Sequence, residues 1–234
     1  MVVGYTELRD LAQPELALLP DDERDRDFGS DYRRRQFHCG RAVLRLLLQE
    51  MTGEAAQSHK VSTEEGGKPF CLDGPAISIT HTGNRVACTV AADGQVGIDL
   101  ERVDEQREVS QILDRFFSRG EQAWIREDLA RRFFMLWVLK EAFVKAHGQS
   151  IFGGLEKLRC IVNQPEIEAQ AIEGSFEDLC IYGHDDVYLA LATTATPLDT
   201  VTFRHWLPGS DELHDNGDYQ FIASTNDIAR QAAA

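Results

Sequence analysis

Val96-Gly97-Ile98-Asp99-Leu100-Glu101 alternates apolar and acidic residues with a period of two, the pattern of a β-strand with two unlike faces. Val96, Ile98 and Leu100 are expected to turn to a core. Asp99 and Glu101 share the opposite face, two residues apart. Gly97 permits a ligand or another backbone to come close. Neighbouring carboxylates repel unless a cation lies between them or one keeps a proton. Hard oxygen donors in low number suit Mg²⁺, which retains some waters and completes its shell from a substrate phosphate. The same pattern also describes an edge strand with a solvated acidic face.

A chain of 234 residues builds one large domain or two small ones. Its 39 acidic residues outnumber 24 Lys and Arg, for a net charge of −15. Nucleic-acid binding is therefore not expected, because phosphate neutralisation needs a basic field. Seven arginines nonetheless cluster at positions 24, 26, 33, 34, 35, 41 and 45. A locally basic helix on an acidic protein can receive an anionic small molecule. No apolar run reaches transmembrane length, and the acidic N-terminus lacks a secretory pattern, so a cytoplasmic protein without membrane contact is expected. The five cysteines (39, 71, 88, 160, 180) are widely spaced, with no Cys-x-x-Cys pair, and read as reduced, mostly buried thiols.

Periodicity predicts a helix over 31–51, with Phe37, Gly40, Leu44, Leu47 and Leu48 on one side and Gly53 as its C-cap. Gly66-Gly67-Lys68-Pro69 reads as a turn presenting a lysine. Residues 77–83 form a strand ending in hydroxyls and the imidazole of His81, followed by a second strand from Arg85. Residues 112–117 make a short helix, and Ser118 with Glu121 forms a capping box for the next one. A longer helix spans 129–147. Candidate strands follow at 155–163, 169–173, 178–183, 186–194 and 200–206. From Pro208 the chain is acidic, then alanine-rich, and partial disorder is expected.

The long helix reads Trp137-Val138-Leu139-Lys140-Glu141-Ala142-Phe143-Val144-Lys145. Glu141 and Lys145 lie one above the other, with Trp137 a turn earlier on the same face. An ordinary surface ion pair would look similar. Gly97-Ile98-Asp99-Leu100-Glu101 followed some forty residues later by Trp137-x-x-Lys140-Glu141-Ala142-x-x-Lys145 resembles the paired signature of 4′-phosphopantetheinyl transferases. Chain length and Glu101 resemble the monomeric surfactin-synthetase-activator type. Gly67-Lys68-Pro69, the segment Ser78 to Gly83 and the arginine helix from Phe37 to Leu46 are similar to further family motifs, with threonines at 80 and 82 where the family usually has serines.

The resemblance implies transfer of the phosphopantetheine arm of coenzyme A to a serine of an apo acyl or peptidyl carrier protein. It implies Asp99, Glu101 and Glu141 as Mg²⁺ ligands, with Mn²⁺ as an alternative ion. Glu141 would also serve as the base, directly or through a water, and Lys145 would neutralise charge on the phosphates. Lys68, Thr80, His81, Lys140 and one of Arg34, Arg35 and Arg41 would contact coenzyme A. The implied fold is α+β, with two similar halves related by a pseudo-twofold, each a small antiparallel sheet packed on a long helix. The halves are expected at 1–103 and 104–207, with a tail at 208–234 and the site in the cleft between the halves. Phe116 and Phe117 are the candidate carrier contact, with a core role for either as the alternative. A Mg²⁺-dependent phosphohydrolase and a non-catalytic binding module are the competing functions. The full set of Asp99, Glu101, Glu141 and Lys145 argues against the module.

Overall fold

The computed structural model describes residues 1–149, 151–195, 198 and 201–225. By its packing the chain forms two compact α+β units, residues 1–93 with 201–217, and residues 94–200 with 218–234.

The first unit is organised by one amphipathic helix. It contains β1 (Val2–Glu7), the short helices α1 (Gln13–Leu16) and α2 (Asp21–Arg24), α3 (Asp31–Thr52), the hairpin β2 (Val61–Thr63) and β3 (Pro69–Cys71), and β4 (Ala76–Thr82) and β5 (Arg85–Ala91). The helix expected over 31–51 is α3. Ser30 caps its start by accepting from the Arg33 amide, and Gly53, at φ +76°, ends it in the left-handed region. Ala42, Val43, Leu44, Leu47 and Leu48 of α3 are buried with Ile77, Cys88 and Val90 of the sheet.

The second unit is organised by a helix that is apolar almost all round, as a fully buried helix must be. Its elements are β6 (Val96–Arg102), α4 (Ser110–Phe116), α5 (Arg119–Ile125), α6 (Leu129–Ala146), α7 (Ile151–Gly154), β7 (Leu158–Asn163), β8 (Glu166–Ala171), β9 (Asp178–His184) and β10 (Val187–Thr193). Every residue of α6 from Phe133 to Val144 is buried. The Ser118–Glu121 capping box is present at the start of α5.

The chain then returns to the first unit with β11 (Thr202–His205) and β12 (His214–Asp215), giving a five-stranded sheet in the order β12-β11-β1-β5-β4. It ends in the second unit with β13 (Gln220–Ser224), giving a six-stranded sheet in the order β6-β10-β9-β13-β8-β7.

Two expectations change, and the tail gains an element. Within the tail, β13 is inserted between β9 and β8, and Tyr219 and Ala223 are buried. The remainder of that tail, 226–234, lies outside the described residues. The strand expected at 169–173 begins at Glu166, because it pairs with β7 across a tight turn that sets Asn163 opposite Glu166. A division near residue 103 assigns β6 to the first half, but β6 pairs with β10 and packs against α6 in the second unit. Asp99 and Glu101 therefore share a unit with Glu141 and Lys145.

Candidate active site

The site begins with a close backbone approach. A Cβ at Gly97 would overlap the Ala142 carbonyl of α6 and come within 2.5 Å of the Ala146 amide. Opposite Gly97 and Asp99 on β10 stand Ala192 and Ala190, equally small. The helix thus settles onto the strand, and the acidic face of β6 is covered rather than solvated. β6 is an edge strand, as one reading of its pattern allowed, yet Asp99 is only 3% exposed.

This packing gathers Asp99, Glu101 and Glu141, each offering an oxygen within 4.8 Å of the others. Burial, then the charge of Asp99, pushes the Glu141 carboxyl up to about 8 against the opposing pull of Lys145. Lys145 Nζ donates to Asp99 Oδ1 at 2.5 Å and lies 3.8 Å from Glu141. Burial pulls the Lys145 ammonium down, but Asp99 and Glu141 outweigh it and hold its pKa above the usual lysine value. Three hard anionic donors within 4.8 Å of one another fit a divalent cation, which would offset both the burial and the Asp99 charge that raise Glu141.

A fifth charged group stands beside Asp99, Glu101, Glu141 and Lys145. Arg107 Nη1 is 3.8 Å from Glu101 Oε1. Nothing in the polar stretch 102–110 singles this arginine out by periodicity or spacing.

Other sequence candidates in this unit have structural roles. Lys140 precedes Glu141 and so faces away from the cluster. It is fully buried, pairs with Glu121 at 2.9 Å, and donates to the Leu155 and Leu158 carbonyls. Glu121 also accepts from the Cys160 amide. Lys140 is therefore a buried strut joining α6, α5 and the start of β7, not a coenzyme contact. Phe116 and Phe117 are 8% and 5% exposed and belong to the core, with Phe117 5.7 Å from the Phe133 ring. The exposed groups beside them are Arg115 and Arg119.

In the first unit a cavity of about 440 Å³ is lined by residues that include Arg26, Phe37, Arg41, Gly67 and His81. Arg41 is 7% exposed and 3.5 Å from Glu23, and its Nη1 has no hydrogen-bond partner among the described residues. Its neighbour on the helix, Arg45, is buried on Glu23 and the Ala56 and His59 carbonyls. Arg34 and Arg35 do not line the cavity; both lie on Asp10, at 2.9 and 3.7 Å. Of the three candidate arginines only Arg41 faces this space. His81 Nδ1 is 3.1 Å from Gln36 Nε2. Thr80 alternates to the other face of β4 and is 3% exposed, so it does not share the cavity with His81. Lys68 is half-buried in the β2–β3 turn, where Gly67 takes φ +88°, and burial draws its ammonium down.

Residues 95–192 match the family model of the 4′-phosphopantetheinyl transferase superfamily, a segment that contains the whole carboxylate cluster and Lys145. That segment is similar to the superfamily. It is 33% identical over 157 residues to the 4′-phosphopantetheinyl transferase HetI of Nostoc sp., covering 62% of this chain and 65% of HetI. It is 30% identical over 154 residues to a putative 4′-phosphopantetheinyl transferase of Synechocystis sp., covering 61% and 62%. To the 4′-phosphopantetheinyl transferase Sfp of Bacillus subtilis it is 35% identical over 120 residues, covering 48% and 51%. The matches thus span less than two thirds of the relatives' own lengths. The superfamily segment covers the second unit's helix and edge strand, while the arginine cavity lies outside it. Among the described residues no helix is long and apolar enough to cross a membrane, and all five cysteines are free and buried.

Proposed function

We propose that this chain transfers the 4′-phosphopantetheine arm of coenzyme A to a serine of an apo acyl or peptidyl carrier protein, leaving adenosine 3′,5′-bisphosphate. We assign it to the surfactin-synthetase-activator type, acting as a Mg²⁺-dependent cytoplasmic monomer, with Mn²⁺ as an alternative ion. The observation that carries this reading is the cluster of Asp99, Glu101 and Glu141 with Lys145 inside the superfamily segment.

Asp99, Glu101 and Glu141 would hold the cation, and Mg²⁺ when bound supplies Lewis acidity to the diphosphate oxygens. The serine oxygen bonds to the β-phosphorus as the bond to the adenosine bisphosphate breaks. Its proton passes to Glu141 or to a water beside it. Lys145, kept protonated by its carboxylate neighbours, would neutralise charge that grows on the phosphates. The first unit's cavity suits the phosphoadenosine end of coenzyme A. The open donor of Arg41, the imidazole of His81 and the turn bearing Lys68 offer cationic contacts to a 3′-phosphate. The competing hydrolase reading has no observation of its own in its favour.

The test is an intact-mass assay. The protein is mixed with coenzyme A, Mg²⁺ and an apo peptidyl carrier, beside a matched sample in EDTA. A metal-dependent gain of one phosphopantetheine on the carrier supports the reading. No gain across acyl and peptidyl carriers of several pathways overturns it.

A further inference from the structure

Arg107 sits between β6 and α4, in a turn closed by its amide donating to the Asp104 carbonyl at 3.2 Å. Its guanidinium carbon lies over three rings of α6, 5.8 Å from Phe133, 5.6 Å from Phe134 and 5.3 Å from Trp137. These distances are within cation–π range. The rings fix where the charge stands and lower the entropy lost when it binds a partner. At 3.8 Å the contact with Glu101 is Coulombic rather than a hydrogen bond. The same charge also draws Glu141 down. Among the described residues the guanidinium makes no hydrogen bond, and the side chain is 31% exposed. A planar fork of five N–H donors is therefore held in place beside the carboxylate cluster with its hydrogen-bonding capacity unspent.

Charge decides what the fork is for. With all three acids ionised, Lys145 and Arg107 leave the cluster one charge negative. A divalent cation turns that excess to one positive, and without Arg107 it would be zero. Arginine is the side chain best matched to forked contact with phosphate oxygens. We infer that Arg107 is a substrate-binding residue whose guanidinium contacts an anionic oxygen of the diphosphate of the coenzyme A substrate. This rests on the transferase reading above. Glu101 then serves the cation, and Arg107 approaches the diphosphate from the Glu101 side while Lys145 approaches from the Asp99 side.

The test uses the full chain with Arg107→Met, which keeps bulk over the rings, and Arg107→Lys, which keeps charge without the fork. Thermal melts establish that both are folded. Mn²⁺ alone is titrated by electron paramagnetic resonance, coenzyme A with Mg²⁺ by calorimetry, and transfer kinetics are run with each substrate varied in turn. Arg107→Met is expected to bind Mn²⁺ as well as the wild type or better. It should lose about ten- to a hundredfold in affinity and KM for coenzyme A, the worth of one charge-assisted contact. KM for the carrier should not change, and Arg107→Lys should recover part of the loss. Weaker Mn²⁺ binding with unchanged coenzyme A affinity would reduce Arg107 to a support for Glu101 and overturn the inference. A rise in carrier KM alone would make it a carrier contact and overturn it equally, and so would no change at all. If the wild type transfers nothing, the transferase reading falls, and the calorimetric comparison still decides whether Arg107 holds the diphosphate.

Discussion

Gly97 lies against the Ala142 carbonyl so closely that no side chain fits between strand β6 and helix α6. The contact explains why carboxylates forty or more residues apart in sequence face a common centre.

Gly97→Ala is therefore expected to be severe. The atoms in the way belong to helix backbone and cannot rotate aside, so the strand must retreat. Overpacking of this kind costs about 1–3 kcal/mol, occasionally more, and the retreat should also weaken metal binding. Gly120→Ala is the control: in α5, with open space around its Cβ, it should gain about 0.5–1 kcal/mol. Urea melts of the two variants should shift in opposite directions.

Glu141 sets a pH dependence. Its carboxyl in the metal-free protein is raised from 4.5 to about 8, so the fold favours the protonated form. That contribution is fully present below the ordinary glutamate range and is lost as pH rises through about 8. Metal binding needs the carboxylate and so releases a proton below that pH. Metal affinity should climb with pH and flatten above about 8. Calorimetry in buffers of different ionisation enthalpy counts the proton, and Glu141→Gln should abolish its release.

Lys140→Met leaves Glu121 buried without its cation. Breaking a buried pair in this way costs about 3–5 kcal/mol. Glu121→Gln added to Lys140→Met should recover part of that, since the stranded charge is gone. Coenzyme A affinity of the folded fraction should not change. A selective loss of that affinity with normal stability would restore Lys140 to the binding site.

Phe116→Ala and Phe117→Ala should each cost about 3–5 kcal/mol, as truncations of buried aromatics do. The conservative Phe116→Leu and Phe117→Leu variants should retain their KM for carrier. A carrier-specific defect in a stable leucine variant would contradict the core assignment.

The helices α3 and α6 were legible in the sequence because each is long and punctuated, α3 by Gly53 and α6 by Gly148. The grouping of Asp99, Glu101 and Glu141 was legible because alternation in β6 and an i, i+4 pair in α6 each define a face. β13 was not. It is five residues long, follows a polar stretch, and pairs with β9 some forty residues earlier, a contact that no local pattern records. Lys140 misleads because residue type does not tell a buried strut from a phosphate contact; its partner Glu121 reads only as a helix cap. Arg107 was illegible for the opposite reason: it lies in a loop without period, and its meaning comes from the three rings beneath it.

The most direct test of the central claim is the rate of phosphopantetheine transfer to an apo carrier, followed by intact mass, for the wild type and for Asp99→Ala. Circular dichroism and Mn²⁺ titration are run on the same preparations. The account expects a metal-dependent mass gain in the wild type, and a folded Asp99→Ala protein that binds Mn²⁺ weakly and transfers nothing measurable. Near-normal turnover in folded Asp99→Ala would contradict it, because the cluster of Asp99, Glu101 and Glu141 would then not be the centre of the reaction.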